Sequence, residues 1–518
     1  MGLNLRGDST CSPYLSAEDT PPIVTEVYYG SAPVKKAVII AAGNGSRLQG
    51  YQNGRPKPLL KVGGVHLLER VIRSAKKVGV TEFVIVIGYQ AARIRKTLTG
   101  RKLGVKITWV RNIDWRQPNG VSVLKAERYV DEKFFLCMSD HIFDYKILDK
   151  IKEVDLGQDA GMLCVDCNLT RVPNLDDATK VRTNDSRLVD LNKSLADFNA
   201  IDIGVFVCTP DLFDALKESQ DAGDYSLSGG IRVLSEEGRM RTFDIGEGLW
   251  QDVDTIPDVR HAERLLLRST RSESDGFIAR HINRKVSNQI TRWLLKTPIT
   301  PNQISIFNLL FSFLTAWVVS LGTPITTAIG GIMFQLASIF DGCDGEVAQI
   351  KLRDSKLGAK IDTVTDHLSY LSFVIGATVG VYNATGNSVV FLVTGIVIAS
   401  LLFALNLARL YIKRKGTASL RALDTAIASL NHSGQQARHL KLFGIIHHLG
   451  RRDFFAFAAM LVMLLGNLQL LYWTMMLFLG LVSVGMSMSA AYFLSRTGGF
   501  LPVLKTNLFA QIKALFHE

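Results

Sequence analysis

Six apolar stretches fill the chain beyond residue 300, at about 303–321, 325–342, 363–382, 388–408, 454–474 and 475–495, each near the roughly 20 residues that cross a bilayer as a helix. The connections between them alternate in charge. Gly322-Thr323-Pro324, the stretch 382–388 and Gly466-Asn467-Leu468-Gln469 carry no Lys or Arg. The other side receives Arg280, Arg284, Lys285, Arg292 and Lys296 before the first span, and Lys351, Arg353, Lys356 and Lys360 between the second and third. It also receives nine basic residues in the loop 409–452, and Arg496 after the sixth span. By the positive-inside rule both termini lie in the cytoplasm, and the protein is a multi-pass component of the cell membrane.

The half before these spans is of another kind. Residues 276–518 hold 21 Lys and Arg against nine Asp and Glu, so the net charge of +12 sits entirely in the apolar half of the 518-residue chain. Basic charge flanking apolar runs suits a lipid bilayer surface and argues against nucleic acid as a partner. The neutral first half reads as a cytosolic domain over 34–268. The flexible N-terminus before it, 1–33, lacks the apolar core of a secretory signal. Between the halves, 269–301 carries Phe277, Ile278, Ile282, Val286, Ile290, Trp293 and Leu294 at helical spacing with basic residues among them, the pattern of an amphipathic helix lying in the interface plane. The membrane domain is then 302–500, followed by a cytoplasmic tail, 501–518. The six cysteines are scattered, and Cys164 and Cys167 have no second pair to complete a zinc site.

Acidic residues stand where a bilayer disfavours them. Asp341 and Asp344 follow the second apolar stretch, and Asp362 and Asp366 open the third. Spacings of three and four residues put each pair on one helix face. Four carboxylates converging from two antiparallel helices repel one another unless cations lie between them, and hard oxygen ligands suit Mg²⁺ or Mn²⁺. Gly345 leaves room for a ligand to approach the backbone.

The run Asp341-x2-Asp344-Gly345-x2-Ala348-x9-Gly358-x3-Asp362-x3-Asp366 resembles the signature of CDP-alcohol phosphotransferases, six-span enzymes that move a substituted phosphoryl group from a cytidine diphosphate donor to a hydroxyl. The resemblance implies that the four aspartates hold the metals and that Asp366 is also the general base. It implies that Pro301 and Asn302, opening the first span, lie near the nucleotide together with Gly345. The family's usual Arg after the Ala is here Gln349, which removes a basic contact and leaves the metal ligands intact.

In the first half, 36–42 reads as a buried parallel strand followed by a Gly-rich turn, and a second strand, 83–87, follows an amphipathic helix from about 67 to 78. This is a β-α-β unit of an α/β doubly wound, Rossmann-like fold. The turn, Ala41-Ala42-Gly43-Asn44-Gly45-Ser46-Arg47, followed by Pro56-Lys57-Pro58-Leu59, resembles the nucleotidyltransferases that join a sugar or alcohol phosphate to a nucleoside triphosphate. By that resemblance Ala42, Gly43, Gly45, Arg47 and Lys57 hold the triphosphate, with Arg47 and Lys57 in the catalytic set, and Asn119 and Ser122 contact base and ribose. Asp140, ending the strand after Phe134, is the expected metal ligand; the second is Asp254 in preference to Asp252. Lys180, Lys193 and Asp202 are the expected acceptor contacts. His141 is assigned no ligand role, being read as packing beside Asp140.

Joined in one chain, the halves suggest a relay in which the first makes the donor used by the second. The fusion is similar to the family of bifunctional inositol-1-phosphate cytidylyltransferases and di-myo-inositol phosphate phosphate synthases. That similarity implies CTP, inositol 1-phosphate and CDP-inositol as substrates, with Arg409 and Lys413 as contacts for a phosphorylated acceptor at the membrane site. Two other classes stay open: a phospholipid synthase using CDP-diacylglycerol, and a chain in which one half is a non-catalytic anchor. A homodimer through the membrane domain is a further expectation.

Overall fold

The computed structural model describes residues 32–48, 54–172, 174–271, 276–415 and 452–496. The N-terminal stretch 1–31, most of the loop after the fourth span and the tail 501–518 lie outside them.

The soluble domain is built on one nine-stranded sheet. Its strands are β1 (Lys36–Ala41), β2 (Glu82–Ile87), β3 (Lys106–Arg111), β4 (Phe134–Met138), β6 (Gly161–Asp166), β7 (Lys180–Asn184), β8 (Arg187–Asn192), β9 (Ala200–Cys208) and β10 (Met240–Asp244). The order is β3-β2-β1-β4-β9-β6-β10-β8-β7. β1, β2, β3 and β4 are parallel, whereas β9 runs antiparallel to both β4 and β6. All six residues of β1 are buried, with Ala37, Ile39 and Ala41 in the core on one face and Val38 and Ile40 in that on the other. Alternation across a doubly covered sheet accounts for the unbroken apolar run. A two-stranded ribbon lies apart from the sheet, pairing β5 (His141–Phe143) with β11 (Trp250–Asp252) and setting Asp252 opposite His141. Helix α1 (Leu67–Lys77) buries one face of the domain, and α2 (Ile256–Ser269) ends it.

Helix α3 (Arg284–Leu295) precedes the membrane helices α4 (Pro301–Ser320), α5 (Pro324–Ile350), α6 (Lys356–Thr385), α7 (Val389–Lys415), α8 (Arg452–Leu464) and α9 (Leu468–Arg496). Five of these are long and apolar enough to cross a membrane, and Asp453–Leu464 is a shorter apolar helix. Two expectations change. The last two spans do not divide at 474/475, as the apolar stretches had it, but at the charge-free connection beginning with Gly466: the turn falls at 465–467, where Gly466 has a φ of 70°. The spans bearing the aspartates are longer than the apolar runs, so Asp341 and Asp344 lie within α5, and Asp362 and Asp366 lie within α6.

α6 closes on α4 because Gly376 and Gly380 have no side chain to strike the carbonyls of Ala316 and Val319. Across α6, α7 and α9, the Thr394 hydroxyl lies 2.9 Å from those of Thr378 and Tyr472, and Tyr472 donates to the Val390 carbonyl at 2.7 Å. Such bonds average about 0.6 kcal/mol each in a bilayer, so packing supplies most of the adhesion.

The amphipathic segment splits its faces in an unexpected way. Phe277, Val286 and Trp293 are exposed, while Leu294 and Leu295 pack with Ile304, Cys343, Val347 and Ile350. The deciding contact is polar: the buried Glu346 carboxylate accepts from Arg284 (2.8 Å), Ser287 (2.6 Å) and Thr291 (2.6 Å). Three donors from one helix compensate a charge that would be costly alone, and they bind α3 to the aspartate-bearing end of α5.

Two candidate active sites

The Gly-rich turn after β1 reaches Lys57 through Gly45, whose φ is 58° and whose hypothetical Cβ would lie 2.5 Å from that of Lys57. Only a residue without Cβ permits this approach. Pro56 and Pro58 flank Lys57 in a short 3₁₀ turn, and the side chain, 7% exposed, enters a ring of carboxylates. Its ammonium is 2.7 Å from Asp140, bonds Asp254 and is 3.7 Å from Asp252. Burial alone would lower its pKa, but the three carboxylates outweigh burial and raise it. Burial would likewise raise Asp140, yet Lys57 and His141 hold it well below the usual carboxylate range. Asp252, where burial dominates, is pushed up to about 6.

Asp140, His141 and Asp252 present ligand atoms within 4.8 Å of one another. The β5–β11 ribbon produces this by setting Asp252 opposite His141, whose Nδ1 is 2.9 Å from Asp140. Asp254, two residues past the ribbon, is engaged instead by Lys57 and by Arg47 at 3.1 Å. The carboxylate grouped with Asp140 and His141 is therefore Asp252 and not Asp254.

Other expected residues separate. Asn119, Lys193 and Asp202 line a cavity of about 630 Å³ with Asp140, Asp252 and Asp254, and Gly43, Gly45 and Arg47 line an adjoining one of about 330 Å³. Ser122 does not line either cavity: it is 3% exposed and its hydroxyl accepts from Asn112 at 2.9 Å. Ala42 is buried with its carbonyl taken by the Tyr89 amide. Lys180 donates to the Lys193 carbonyl at 2.7 Å, so it positions that loop. Asp177, not anticipated, links Arg47 to Lys193, and Arg47 foremost holds its carboxyl at about 2. Nothing in the local pattern of Asp176-Asp177 marks the second residue.

In the membrane half Asp341, Asp362 and Asp366 present carboxylate oxygens within 4.8 Å of one another. Asp344, buried one turn on, accepts from the Ser305 hydroxyl and from the Gly345 amide at 2.6 Å. Hard oxygen donors at such spacing fit a small divalent cation, as do those of Asp140 and Asp252. Against its burial these two carboxylates raise the His141 pKa to about 9, so the imidazole must shed a proton to ligate. Pro301, Asn302, Gly345, Asp344 and Asp362 line a cavity of about 470 Å³. Arg409 is exposed near the end of α7, and the side chain of Lys413 lies outside the described residues.

The soluble domain covers this second site. Its residues Lys77, Lys146 and Trp250 line the same cavity. α5 ends in a Schellman turn, with Arg353 N–H bonded to Ala348 (2.9 Å), Leu352 N–H to Gln349 (3.1 Å), and Leu352 in the left-handed region at φ 49°. Arg73 donates to the carbonyls of Lys351 and Leu352, Lys77 pairs with Asp354 at 2.7 Å, and Gln349 donates to Ser269 at 3.0 Å. The residue that departs from the signature thus joins the membrane domain to the end of α2.

A Rossmann-like nucleotide fold with a basic, carboxylate-lined cleft, joined to a helical bundle with an aspartate cluster, defines a two-domain membrane transferase: a nucleotidyltransferase fused to a CDP-alcohol phosphotransferase. Residues 37–175 match the MobA-like NTP transferase domain family, and 298–484 match the CDP-alcohol phosphatidyltransferase family. The chain belongs to the family of bifunctional IPC transferase and DIPP synthase enzymes. It is 32% identical to the member from Archaeoglobus fulgidus over 72% of each chain. It is 35% identical to that from Rubrobacter xylanophilus over 66% of this chain and 77% of the relative. A solved inositol-1-phosphate CTP transferase from T. maritima, 28% identical, covers 45% of this chain and 96% of its own, with a TM-score of 0.42.

Proposed function

We propose that the soluble half joins CTP to inositol 1-phosphate, giving CDP-inositol and pyrophosphate. The membrane half then moves phosphoinositol to a second inositol 1-phosphate and releases CMP. The observation carrying this reading is a metal-competent acidic cluster in each half, beside its own cavity. The names of the relatives support inositol phosphate as the substrate class.

At the soluble site the turn amides at Gly43 and Gly45 bind triphosphate oxygens together with Arg47 and Lys57, which exchange for them the carboxylates they now face. Lys193 and Asp202 orient the acceptor phosphate and its hydroxyls. Asp140, His141 and Asp252 would hold Mg²⁺. At the membrane site Asp341, Asp344, Asp362 and Asp366 would hold it, and Asp366 accepts the proton of the attacking hydroxyl. A divalent ion at either place supplies positive charge against the diphosphate.

The same reading puts both termini and the soluble domain in the cytoplasm. Cysteines introduced at the exposed positions Thr323, Ala384 and, next to Leu468, Asn467 should react with impermeant thiol reagents in intact cells, and one at Ser433, outside the described residues, should not; labelling at 433 would reverse the orientation. The activity is tested with purified full-length protein, CTP, Mg²⁺ and a panel of alcohol phosphates, products being identified by mass. Transfer from CDP-diacylglycerol with none from CDP-inositol would replace this reading with a phospholipid synthase.

A further inference from the structure

The two sites are not separate in space. The 630 Å³ cavity holding Asp140, Asp252 and Asp254 and the 470 Å³ cavity holding Asp344 and Asp362 share four lining residues: Leu249, Trp250, Gln251 and Leu265. Each volume falls within the range of about 300–1,000 Å³ that takes a small-molecule ligand. One end of the ribbon strand β11 and one position of α2 therefore form the common wall of both.

That wall is fixed on one side. The Trp250 indole donates to Asp166 at 2.6 Å, and Asp166, fully buried, is held by Arg171 at 2.7 and 2.8 Å. A buried carboxylate with this many donors confines the ring to one orientation. Leu265, on α2, lines both cavities with a half-buried aliphatic side chain. Cations continue on both sides of the boundary, with Arg268 in the first cavity and Lys146 and Arg353 in the second. A diphosphate crossing the wall thus meets positive charge before and after it.

We propose that the CDP-alcohol made at the soluble site passes to the membrane aspartates between Trp250 and Leu265, without release to bulk solvent. This rests on the reading above, in which the first half makes the donor of the second. No bond forms or breaks in transit; the intermediate changes site.

The test uses full-length enzyme in lipid nanodiscs, given CTP, Mg²⁺, deuterated inositol 1-phosphate and a large excess of unlabelled CDP-inositol. Internal transfer yields final product labelled in both inositols in a share well above the labelled fraction of the free CDP-inositol pool. Product labelled only in the acceptor inositol, in the proportion of the unlabelled pool, overturns the proposal while leaving the two activities standing. If no CDP-inositol forms from CTP, the functional reading itself fails. Leu265→Trp, which fills the boundary, should lower the doubly labelled share toward the mixing value, a change in product labelling that a slower rate of either half-reaction does not by itself produce. An unchanged doubly labelled share in a variant that folds would rule out the path past Leu265.

Discussion

Arg70, on the first helix of the soluble domain, donates at 2.8 Å to the carbonyl of Ile350, the last residue of the second membrane helix. The same guanidinium donates to the Val62 carbonyl at 2.8 Å. The end of α5 has carbonyls with no partner in their own helix, and here a cation from another domain satisfies one while meeting the negative end of the helix dipole. Burial lowers the Arg70 pKa to about 10, still far above neutral pH, so the charge persists.

Arg70→Met should therefore loosen the joint between the domains. A buried acceptor left unpaired costs about 1–3 kcal/mol. We expect a lower thermal midpoint and faster protease cleavage between 270 and 300, with CDP-inositol formation retained once folded. An unchanged cleavage rate would show that Arg73 and Lys77 suffice to dock the domain.

At the soluble site, Lys57→Ala or Asp140→Ala should abolish pyrophosphate release from CTP. Transfer from supplied CDP-inositol should survive, because the acidic cluster of the membrane half contains neither residue. Loss of both activities in a folded variant would mean that the two sites do not act as independent catalysts.

In the proposed mechanism Asp366 differs from its neighbours in accepting a proton as well as ligating. Asp366→Asn should lose on the order of 10² to 10⁴ in transfer rate at saturating Mg²⁺. Asp341→Ala, Asp344→Ala and Asp362→Ala should instead regain part of their activity as Mg²⁺ rises. Restoration of the Asp366→Asn variant by metal would move the general base elsewhere.

Burial raises the Asp202 carboxyl from 3.8 to about 6, against the opposing Gly204 amide. The folded protein therefore favours the protonated form. The stability this gives is present in full below pH 3.8 and is lost as pH rises through about 6. Asp202→Asn should raise the thermal midpoint relative to wild type at neutral pH, with the advantage shrinking as the pH is lowered toward 4. A pH-independent difference between the two would show that Asp202 ionises freely in the fold.

Local pattern made much of this molecule legible. The apolar runs, the period of β1, the Gly-rich turn with Lys57 and the spacing Asp341, Asp344, Asp362, Asp366 are short-range properties. Helical and strand periodicity translate them directly into shared faces. The division of the last two spans was not legible from hydropathy, because the apolar run continues through both; Gly466-Asn467, a turn-forming pair, was the available signal.

What tertiary structure decided lies in contacts between distant segments. Asp252 and Asp254 are equivalent in any local pattern, and the pairing of β11 with β5 alone sets Asp252 beside Asp140 and His141. Ser122 lies one turn from the cleft, yet Asn112 takes its hydroxyl. The cover of the membrane aspartates by Lys77, Lys146 and Trp250, and the anchoring of α3 by Glu346, join residues far apart in the chain. Each contact costs loop-closure entropy that only the assembled core repays, and no local period records it.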